Sequence, residues 1–310
     1  MNKSLTMETT PTSPTLPAGT PPAPPAPRHP VRRLLSSFGV TGLIGLAVLV
    51  FWVLAALVGP ALLPAHLIIS GDGNGDVFGP MSAAHWFGTD YLGRDIFVRV
   101  VEGARYTVGV ALVATVLASG TGTVLALFAA AMGGLVDATL SRVLDTLTAI
   151  PSKMFALLMV AGFGSSVTML VLTAAIIYVP GAYRIARSLA VNINALDYVT
   201  VARTRGEGTL YIMLREILPN ILGPMLADLG LRFVYVVLLL ASLSFLGLGI
   251  QPPSADWGSL VRENIGALPD AGASVIVPAL AIASLTIAVN IVIDNLPGRG
   301  RSGARERGGR

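Results

Sequence analysis

Few residues of this chain could do covalent chemistry. Its 310 residues include three histidines and no cysteine, which excludes disulfides, thiolate metal sites and cysteine nucleophiles. The sequence has no G-x-S-x-G, H-E-x-x-H or P-loop motif, so it lacks a hydrolase elbow, a zincin helix and a site for ATP hydrolysis. His85 alone is not a metal site, because such a site needs several convergent ligands. We therefore predict no enzyme activity and no cofactor bound by this chain.

One acidic stretch has the spacing of a calcium loop. In DGNGD, Asp72, Asn74 and Asp76 stand at positions 1, 3 and 5 of such a loop. The loop also requires Gly at position 6 and Glu at position 12, where this chain has Val77 and Ala83. The stretch therefore predicts a polar turn rather than a calcium site.

Charges inside apolar runs are costly in lipid and are usually functional. Lys153, in IPSKMF, follows Asp145 by two turns on roughly the same face of a predicted helix. We expect Lys153 to pair with another charge in the bundle, and the alternative is that it lines a transport pathway. Asp228 and Arg232 stand at i and i+4, which predicts an ion pair within one helix.

The composition shows which elements must position these residues. The chain is 53% hydrophobic and 12% charged, whereas soluble domains are about 25% charged. The net charge is +4, but the sequence has no basic patch with interleaved aromatic residues. We therefore expect no nucleic-acid partner. Six stretches are long and apolar enough to span a bilayer, where about 20 residues are needed: Phe38–Val58, Arg105–Ala131, Leu140–Gly162, Val167–Leu189, Met225–Gly247 and Ala273–Ile293.

Six spans place both termini on one side of the membrane. Arginines flank the first span and fill the C-terminal tail, so the positive-inside rule predicts cytoplasmic termini. The first run is too long for a signal peptide. We expect a disordered Pro/Thr/Ala-rich tail at 1–33, a transmembrane domain at 34–296 and a basic tail at 297–310. The connections at 60–103 and 248–272 are then external, and we expect both to be ordered.

The connection at about 191–222 is arginine-rich and must lie in the cytoplasm. Placing each arginine at mid-bilayer would cost about 2.5–3.5 kcal/mol. Asp197–Arg205 predicts a short helix, Gly206–Gly208 a break, and Thr209 the N-cap of a second helix that ends near Pro219. Its apolar stripe comprises Leu210, Leu214, Ile217 and Leu218. The stripe either packs on the chain's own spans or docks a cytoplasmic partner.

Three motifs resemble those of one family. They are HWFGTDYLGRD (His85–Asp95) with GARYTVGVA (Gly103–Ala111), LSFLGLGIQPPSADWGSLV (Leu243–Val261), and A-x-x-x-G followed by L-P, formed by Ala202, Gly206, Leu218 and Pro219. Together they resemble the C-type permease of dipeptide, oligopeptide and nickel ABC importers over residues 35–296. The chain departs from the family pattern at three places: Thr200-Val201 replaces Glu-Ala, Leu240 replaces Glu, and Ile293 replaces Gly.

The resemblance implies an all-α, polytopic permease with six transmembrane helices and a cytoplasmic coupling-helix loop, in a bacterial inner membrane. It implies four kinds of partner: a second permease, two ATPase subunits that use the ATP, an extracytoplasmic binding protein, and the bilayer. The residues that it assigns to coupling are Asp197, Ala202, Gly206, Glu207, Leu218 and Pro219. We add Arg203 and Arg215, because arginines of such a loop could bond carboxylates of the ATPase. Gly206 would permit a tight turn.

The external motifs leave two interpretations open. Their charges form a structural salt bridge or turn cap, or they contact the binding protein. The residues concerned are Asp90, Gly93, Arg94, Asp95, Gln251 and Trp257. A secondary transporter is the first rival function, but the chain has no inverted repeat and no run of intramembrane acids. An intramembrane enzyme is the second, and paired catalytic residues within spans are absent. Peptide is the expected cargo; relatives of this type also carry glutathione, nickel and metallophores.

Overall fold

A computed structural model describes residues 39–62, 76–269 and 272–295. The two predicted tails lie outside these ranges, as do Asp72 and Asn74 of the DGNGD stretch. The described residues form nine helices and no β-strand, apart from one isolated bridge between Thr89 and Asp95. The predicted all-α fold is therefore confirmed.

Five helices are long and apolar enough to cross a bilayer. We number the helices in chain order, so that these five are α1 (Val40–Leu62), α2 (Ile96–Met132), α5 (Val167–Asn194), α7 (Thr209–Phe245) and α9 (Ala273–Asp294). Two further helices, α6 (Asp197–Thr204) and α8 (Trp257–Asn264), lie in the connections that carry the sequence motifs.

The predicted third span is a bent pair of helices rather than one rod. The helices α3 (Gly134–Thr148) and α4 (Ser152–Phe163) meet at an angle of 81°. The break lies at Pro151, which has no N–H for a helical bond and disfavours helical geometry in the residue before it. The described residues therefore contain five unbroken candidate spans, or six if the bent pair crosses as one.

Two spans are longer than the sequence predicted. The predicted second span began at Arg105, whereas α2 begins at Ile96, where the side chain of Asp95 accepts a hydrogen bond from the Val98 N–H. At 1.5 Å per residue, the 37 residues of α2 extend for about 55 Å. Since a hydrocarbon core is about 30 Å thick, α2 must leave the lipid, and α7 has the same length.

Small residues allow the spans to pack closely. A Cβ added to Gly122 of α2 would lie 2.6 Å from the Cβ of Ala182 in α5, and one added to Gly45 of α1 would lie 2.7 Å from Ile291 in α9. Close backbone approach of this kind drives helix association in lipid, where hydrophobic burial contributes little. One core joins the first turns of α2 to α7, α8 and α9, and a second joins the last turns of α2 to α5, α6 and the start of α7.

Candidate functional site

Two regions hold all the predicted site residues except Lys153. We call residues 191–222 the coupling loop, and residues 85–107 with 243–264 the signature cap. The cap contributes residues to the first core and the loop to the second. Helix α7 begins in the loop and ends in the cap, so the two regions lie at opposite ends of the helix bundle.

Helix α6 of the coupling loop ends in a Schellman motif. The Gly206 N–H donates to the Arg203 carbonyl at 2.9 Å, and the Glu207 N–H donates to the Ala202 carbonyl at 3.2 Å. Gly206 has φ of +84°, a backbone conformation that residues other than glycine rarely adopt. The predicted tight turn at Gly206 is therefore confirmed, and it ends α6 without a flexible tail.

The predicted second helix of the loop differs from the observed one. Gly208 is the N-cap instead of Thr209, and the helix passes through Pro219 into the span, so α7 is continuous from Thr209 to Phe245. A π-helical segment at Ile212–Ile217 directly precedes the proline. A regular α-helix would set the Arg215 carbonyl against the ring of Pro219, and the wider π turn replaces that geometry.

The predicted apolar stripe is wrong for Leu210 and Leu214 because of the same π turn, whereas Ile217 and Leu218 pack on the second core as one of the two alternatives expected. Ile212, Met213 and Ile217 face the core, whereas Leu210 and Leu214 are 66% and 47% exposed. The sequence pattern assumed 3.6 residues per turn, and a π segment changes that period, so the residues that share a face are different.

Large apolar side chains of the loop point away from the protein. In α6, Val199 and Ala202 are fully buried, while Tyr198 and Val201, each next to one of them in sequence, are exposed. We call Tyr198, Val201, Leu210 and Leu214 the open residues of the loop. Val199 and Ala202 anchor α6 on the bundle, and the open residues remain available for contact with another protein.

Arg203 connects the coupling loop to the end of α2. One guanidinium nitrogen donates to the Ala131 carbonyl at 3.1 Å and to Asn194 Oδ1 at 2.8 Å. Asn194 in turn donates to the Ala130 carbonyl at 2.9 Å. These carbonyls belong to the last turn of α2, where no helical N–H remains to bond them and where a cation is favourable. We expected Arg203 to face partner carboxylates, and its guanidinium instead bonds within the chain.

The other predicted coupling residues occupy varied surroundings. Asp197 lies in the first turn of α6 and is exposed, Glu207 and Leu218 are half-buried, and Pro219 is exposed. Within the described part of the chain, Arg205 and Arg215 form no ion pair, and both are exposed. Contact of these residues with an ATPase stays a prediction.

The signature cap is built around a buried ion pair. Arg94 Nε donates to Asp90 Oδ2 at 2.7 Å, and Asp90 Oδ1 accepts from the backbone N–H groups of Leu92 and Arg94. Both side chains are buried, and Gly93 between them has φ of +71°. The contacts support the salt-bridge interpretation of this motif, because neither charge is on the surface.

Arg99 extends this ion pair into a network that the sequence motifs did not reveal. Its guanidinium donates to the Pro253 carbonyl at 3.0 Å and lies 3.5 Å from both Glu263 and Glu102. The network thus joins α2 to the motif loop and to α8. Burial raises the pKa of Glu263. The signal available in sequence was the i, i+3 spacing of Arg99 and Glu102.

Trp257 is the centre of the cap. It is fully buried, and its indole N–H donates to the Val100 carbonyl at 2.8 Å. A Cβ on Gly103 would lie 3.0 Å from its ring, and one on Gly258 would lie 2.6 Å from the Ala241 carbonyl. The glycines of both motifs therefore provide space for the indole and the neighbouring backbone.

The acidic residue before Trp257 caps α8. Asp256 forms a capping box with Ser259 and accepts a hydrogen bond from the Ser244 hydroxyl. Burial raises the pKa of Asp256. Sequence reasoning passed over Asp256 and Ser244, although an Asp followed by a Ser three residues later is a sequence signal of a helix start.

The other predicted cap residues are nearer the surface. Asp95 is half-buried and lies 2.9 Å from His85 Nδ1. Gln251 is exposed, and its amide donates to the Gly247 and Gly249 carbonyls. Of the six predicted contact residues, Gln251 alone is exposed, and its contact with a binding protein stays a prediction.

The structure separates Lys153 from Asp145. Lys153 is exposed in the first turn of α4, beyond the bend, so the two residues do not share a helix face as predicted. Asp145 pairs with Arg184 at 3.1 Å instead, and no acid among the described residues pairs with Lys153. The predicted pairing is therefore not found, and the pathway role remains a hypothesis.

The predicted ion pair in the fifth span is confirmed. Arg232 Nη2 lies 2.6 Å from Asp228 Oδ2, and Nη1 donates to the Tyr178 carbonyl of α5 at 2.9 Å. A Cβ on Gly181 would lie 2.8 Å from the guanidinium. The pair therefore joins α7 to α5 as well as neutralising its own charges.

Comparison with known proteins identifies the family. Residues 122–301 match the family described as binding-protein-dependent transport system inner membrane component. A protein of Brucella suis biovar 1, named as a peptide transport system permease, is 36% identical over 257 residues, which cover 82% of this chain and 84% of the relative.

Two further relatives have names that state a cargo. The dipeptide transport system permease protein DppC of Alkalihalophilus pseudofirmus is 34% identical, with 82% of this chain and 83% of the relative covered. The glutathione transport system permease protein GsiD of Pectobacterium atrosepticum is 35% identical, with 69% and 71% covered. The chain belongs to the family of binding-protein-dependent transport system inner membrane components, as a peptide-type ABC permease subunit that is not itself an enzyme.

Proposed function

We propose that this chain forms half of the translocation pathway of an ATP-driven importer, and that separate ATPase subunits drive it through the coupling loop. The observation that carries the proposal is that some apolar side chains of the loop are buried against the bundle while others are exposed. Val199 and Ala202 are fully buried, whereas Tyr198, Val201, Leu210 and Leu214 are exposed. Exposed apolar residues on the anchored helix α6 and on the first turns of α7 favour a protein partner, since exposed apolar clusters mark interaction sites.

The loop is also rigid enough to transmit a push. The Schellman turn at Gly206 fixes the end of α6, and Arg203 joins α6 to the last turn of α2. The start of α7 is continuous with a span. A displacement of the loop would therefore move α2 and α7 together, as a switch between two accesses requires.

The proposed orientation places the coupling loop and both termini in the cytoplasm. The arginine content of residues 184–215 supports it through the positive-inside rule. The chain has no native cysteine, so a Glu207→Cys variant offers one thiol. We expect a membrane-impermeant reagent to label it in inside-out vesicles and not in intact cells, and labelling from outside would reverse the topology.

Peptides are the cargo that we propose. Relatives of similar identity are named for dipeptide and for glutathione transport, and glutathione is itself a tripeptide. Uptake of labelled dipeptides, glutathione and Ni²⁺ should be compared in cells with and without the gene, with its partner genes intact. We expect loss of peptide uptake, whereas loss of Ni²⁺ uptake alone would refute the peptide assignment.

Partner coupling is tested by purification. We expect two ATPase subunits, a second permease and a binding protein to be recovered with the tagged chain, and a Val201→Asp, Leu214→Asp variant to lose the ATPases while it keeps the second permease. Recovery of the ATPases in undiminished amount with this variant would contradict the proposed docking surface.

A further inference from the structure

A groove lies between α1 and α2, and Arg105 is the only residue of its lining that belongs to the signature cap. It has a volume of about 560 Å³ and is lined mostly by apolar side chains. Val53 and Leu57 line it from α1, and Val108 and Leu112 line it from α2. Leu57 is 72% exposed, so the groove opens onto the outer surface of the bundle.

The groove has one charged end. Gly59 of α1 packs against Val101 of α2, where an added Cβ would meet the valine at 2.5 Å. Arg105, one turn further along α2, lines the end of the groove nearest this contact, and Leu112 lines the other end. Seven residues of helix separate them, so the apolar part runs for about 10 Å.

Arg105 lies at the level where lipid headgroups begin. Arg105 is the last charged residue of α2 before a stretch without charge that continues to Met132. From Arg105 to Met132 the helix extends for about 40 Å. Because the hydrocarbon core is about 30 Å thick, we place Arg105 at one boundary of it.

Arg105 has no ion-pair partner among the described residues, and its side chain is exposed. Glu102, one turn earlier, is near enough to feel the charge of Arg105, but the Glu102 carboxylate lies 3.5 Å from Arg99. An exposed cation above a lipid-facing apolar groove complements an anion that has a hydrocarbon tail, because a cation at this depth is favourable only with a counter-charge.

We propose that this groove binds one phospholipid, with its phosphate on Arg105 and the first part of an acyl chain along Val108 and Leu112. A guanidinium binds a phosphate through two parallel hydrogen bonds. A free phosphate would leave the apolar length of the groove unfilled. The inference rests on the membrane location of the chain and not on the proposed coupling to ATPases.

Gly109 provides a way to close the groove without disturbing the fold. It lines the groove, and an added Cβ would meet nothing within 4 Å. Gly120, on the same helix, has the same open space and does not line the groove. Gly109→Leu should therefore remove the lipid, and Gly120→Leu is its matched control.

The test uses the full importer in native membranes with a photo-crosslinking amino acid at Leu57. We expect a crosslink to phospholipid that falls at least about fivefold in Gly109→Leu and in Arg105→Gln, and that is unchanged in Gly120→Leu. A crosslink from Leu57 to a protein subunit would overturn the proposal, as would a lipid crosslink that neither substitution reduces.

The chemistry of the headgroup is tested separately on the purified importer. Native mass spectrometry should show one retained phosphatidylglycerol per chain after reconstitution with that lipid, and none with the phosphate-free galactosyl diacylglycerol. Inorganic phosphate should not displace it. Equal retention of both lipids would exclude a phosphate site at Arg105, and displacement by inorganic phosphate would exclude the acyl-chain contact.

Discussion

The signature cap and the coupling loop contain the same kind of helix-ending turn, but the chain after the turn is buried in one and exposed in the other. Gly206 follows the end of α6 and Gly247 follows the end of α7, each with φ of +84° and each at the two hydrogen bonds of a Schellman motif. In the cap, the chain after the turn folds back and buries Trp257, Asp256 and Leu260. In the loop, the turn is followed by exposed residues. The same turn therefore closes one core and presents one surface.

The two regions also differ in whether their charged side chains are buried or exposed. In the cap, Asp90, Arg94 and Arg99 are buried together and hold three segments of chain. In the loop, Arg203 alone is bonded inward, and Arg205 and Arg215 are exposed. We conclude that the sequence motifs differ in what they do. The residues of the cap motifs are mostly buried and hold the fold together, whereas the loop motif leaves side chains exposed.

The largest effect is expected in the cap at Trp257. Truncation of a buried tryptophan costs about 3–5 kcal/mol, and Trp257 also loses its bond to the Val100 carbonyl. We expect Trp257→Ala to lower the thermal midpoint of the purified chain by many degrees. Tyr198→Ala in the loop is the aromatic control and should leave that midpoint unchanged. Equal sensitivity at both positions would remove the distinction between the regions.

The buried ion pair should show the next effect. Asp90→Asn keeps an acceptor for the backbone N–H groups but leaves Arg94 with only the longer contact to Glu263, at 3.7 Å, which costs about 1–3 kcal/mol. The exposed Asp197 of α6 provides the control substitution, Asp197→Asn, which should have no effect on the thermal midpoint. If Asp90→Asn is as stable as the unmodified chain, the ion pair does not hold the cap.

Arg203 should affect coupling more than stability. Arg203→Met removes a cap from α2 and should cost about 1 kcal/mol. Because α6 then loses its bond to α2, we expect ATP hydrolysis by the assembled importer to continue while peptide uptake falls. Arg205→Met removes an equal charge that forms no ion pair with the described residues, and it should leave the ratio of uptake to hydrolysis unchanged. A lowered ratio in both variants would point to charge alone.

The smallest effect on stability is expected at an open residue of the loop. Leu214 is 47% exposed, and surface substitutions usually stay within about 0.5 kcal/mol. Leu214→Ser should therefore leave the thermal midpoint of the chain unchanged and reduce co-purification of the ATPases. Leu92→Ser, at an exposed leucine of the cap, should change neither. Normal ATPase recovery with Leu214→Ser would show that the exposed leucine has no partner.

Sequence reasoning succeeded where the chain's pattern acts locally. The apolar runs predicted the spans, and the i, i+4 spacing predicted the Asp228–Arg232 pair, because both depend on one helix. Gly206 was predicted at a turn for the same reason. The bend at Pro151 was underestimated, since a proline within an apolar run does not reveal whether the helix continues through it.

The incorrect predictions have two physical origins. The π segment before Pro219 shifted the buried face of α7, and no single-residue propensity announces such a turn. Arg203 was assigned to a partner although it bonds the Ala131 carbonyl, and Arg99 was passed over although it bonds the Pro253 carbonyl. Both acceptors are distant in sequence from the arginine. A charged side chain can be assigned to a partner or to its own chain only when the fold shows which backbone carbonyls lack a donor.

The measurement that tests the central claim most directly is the protection of single thiols by the ATPases. Val201→Cys lies among the open residues of the loop, and Leu92→Cys lies on the cap. Labelling rates should be compared in vesicles that contain the permeases with and without bound ATPase subunits. We predict that bound ATPases slow labelling at residue 201 by at least tenfold and leave residue 92 unchanged. Equal rates at residue 201 in both preparations would contradict the assignment of the loop as the docking surface.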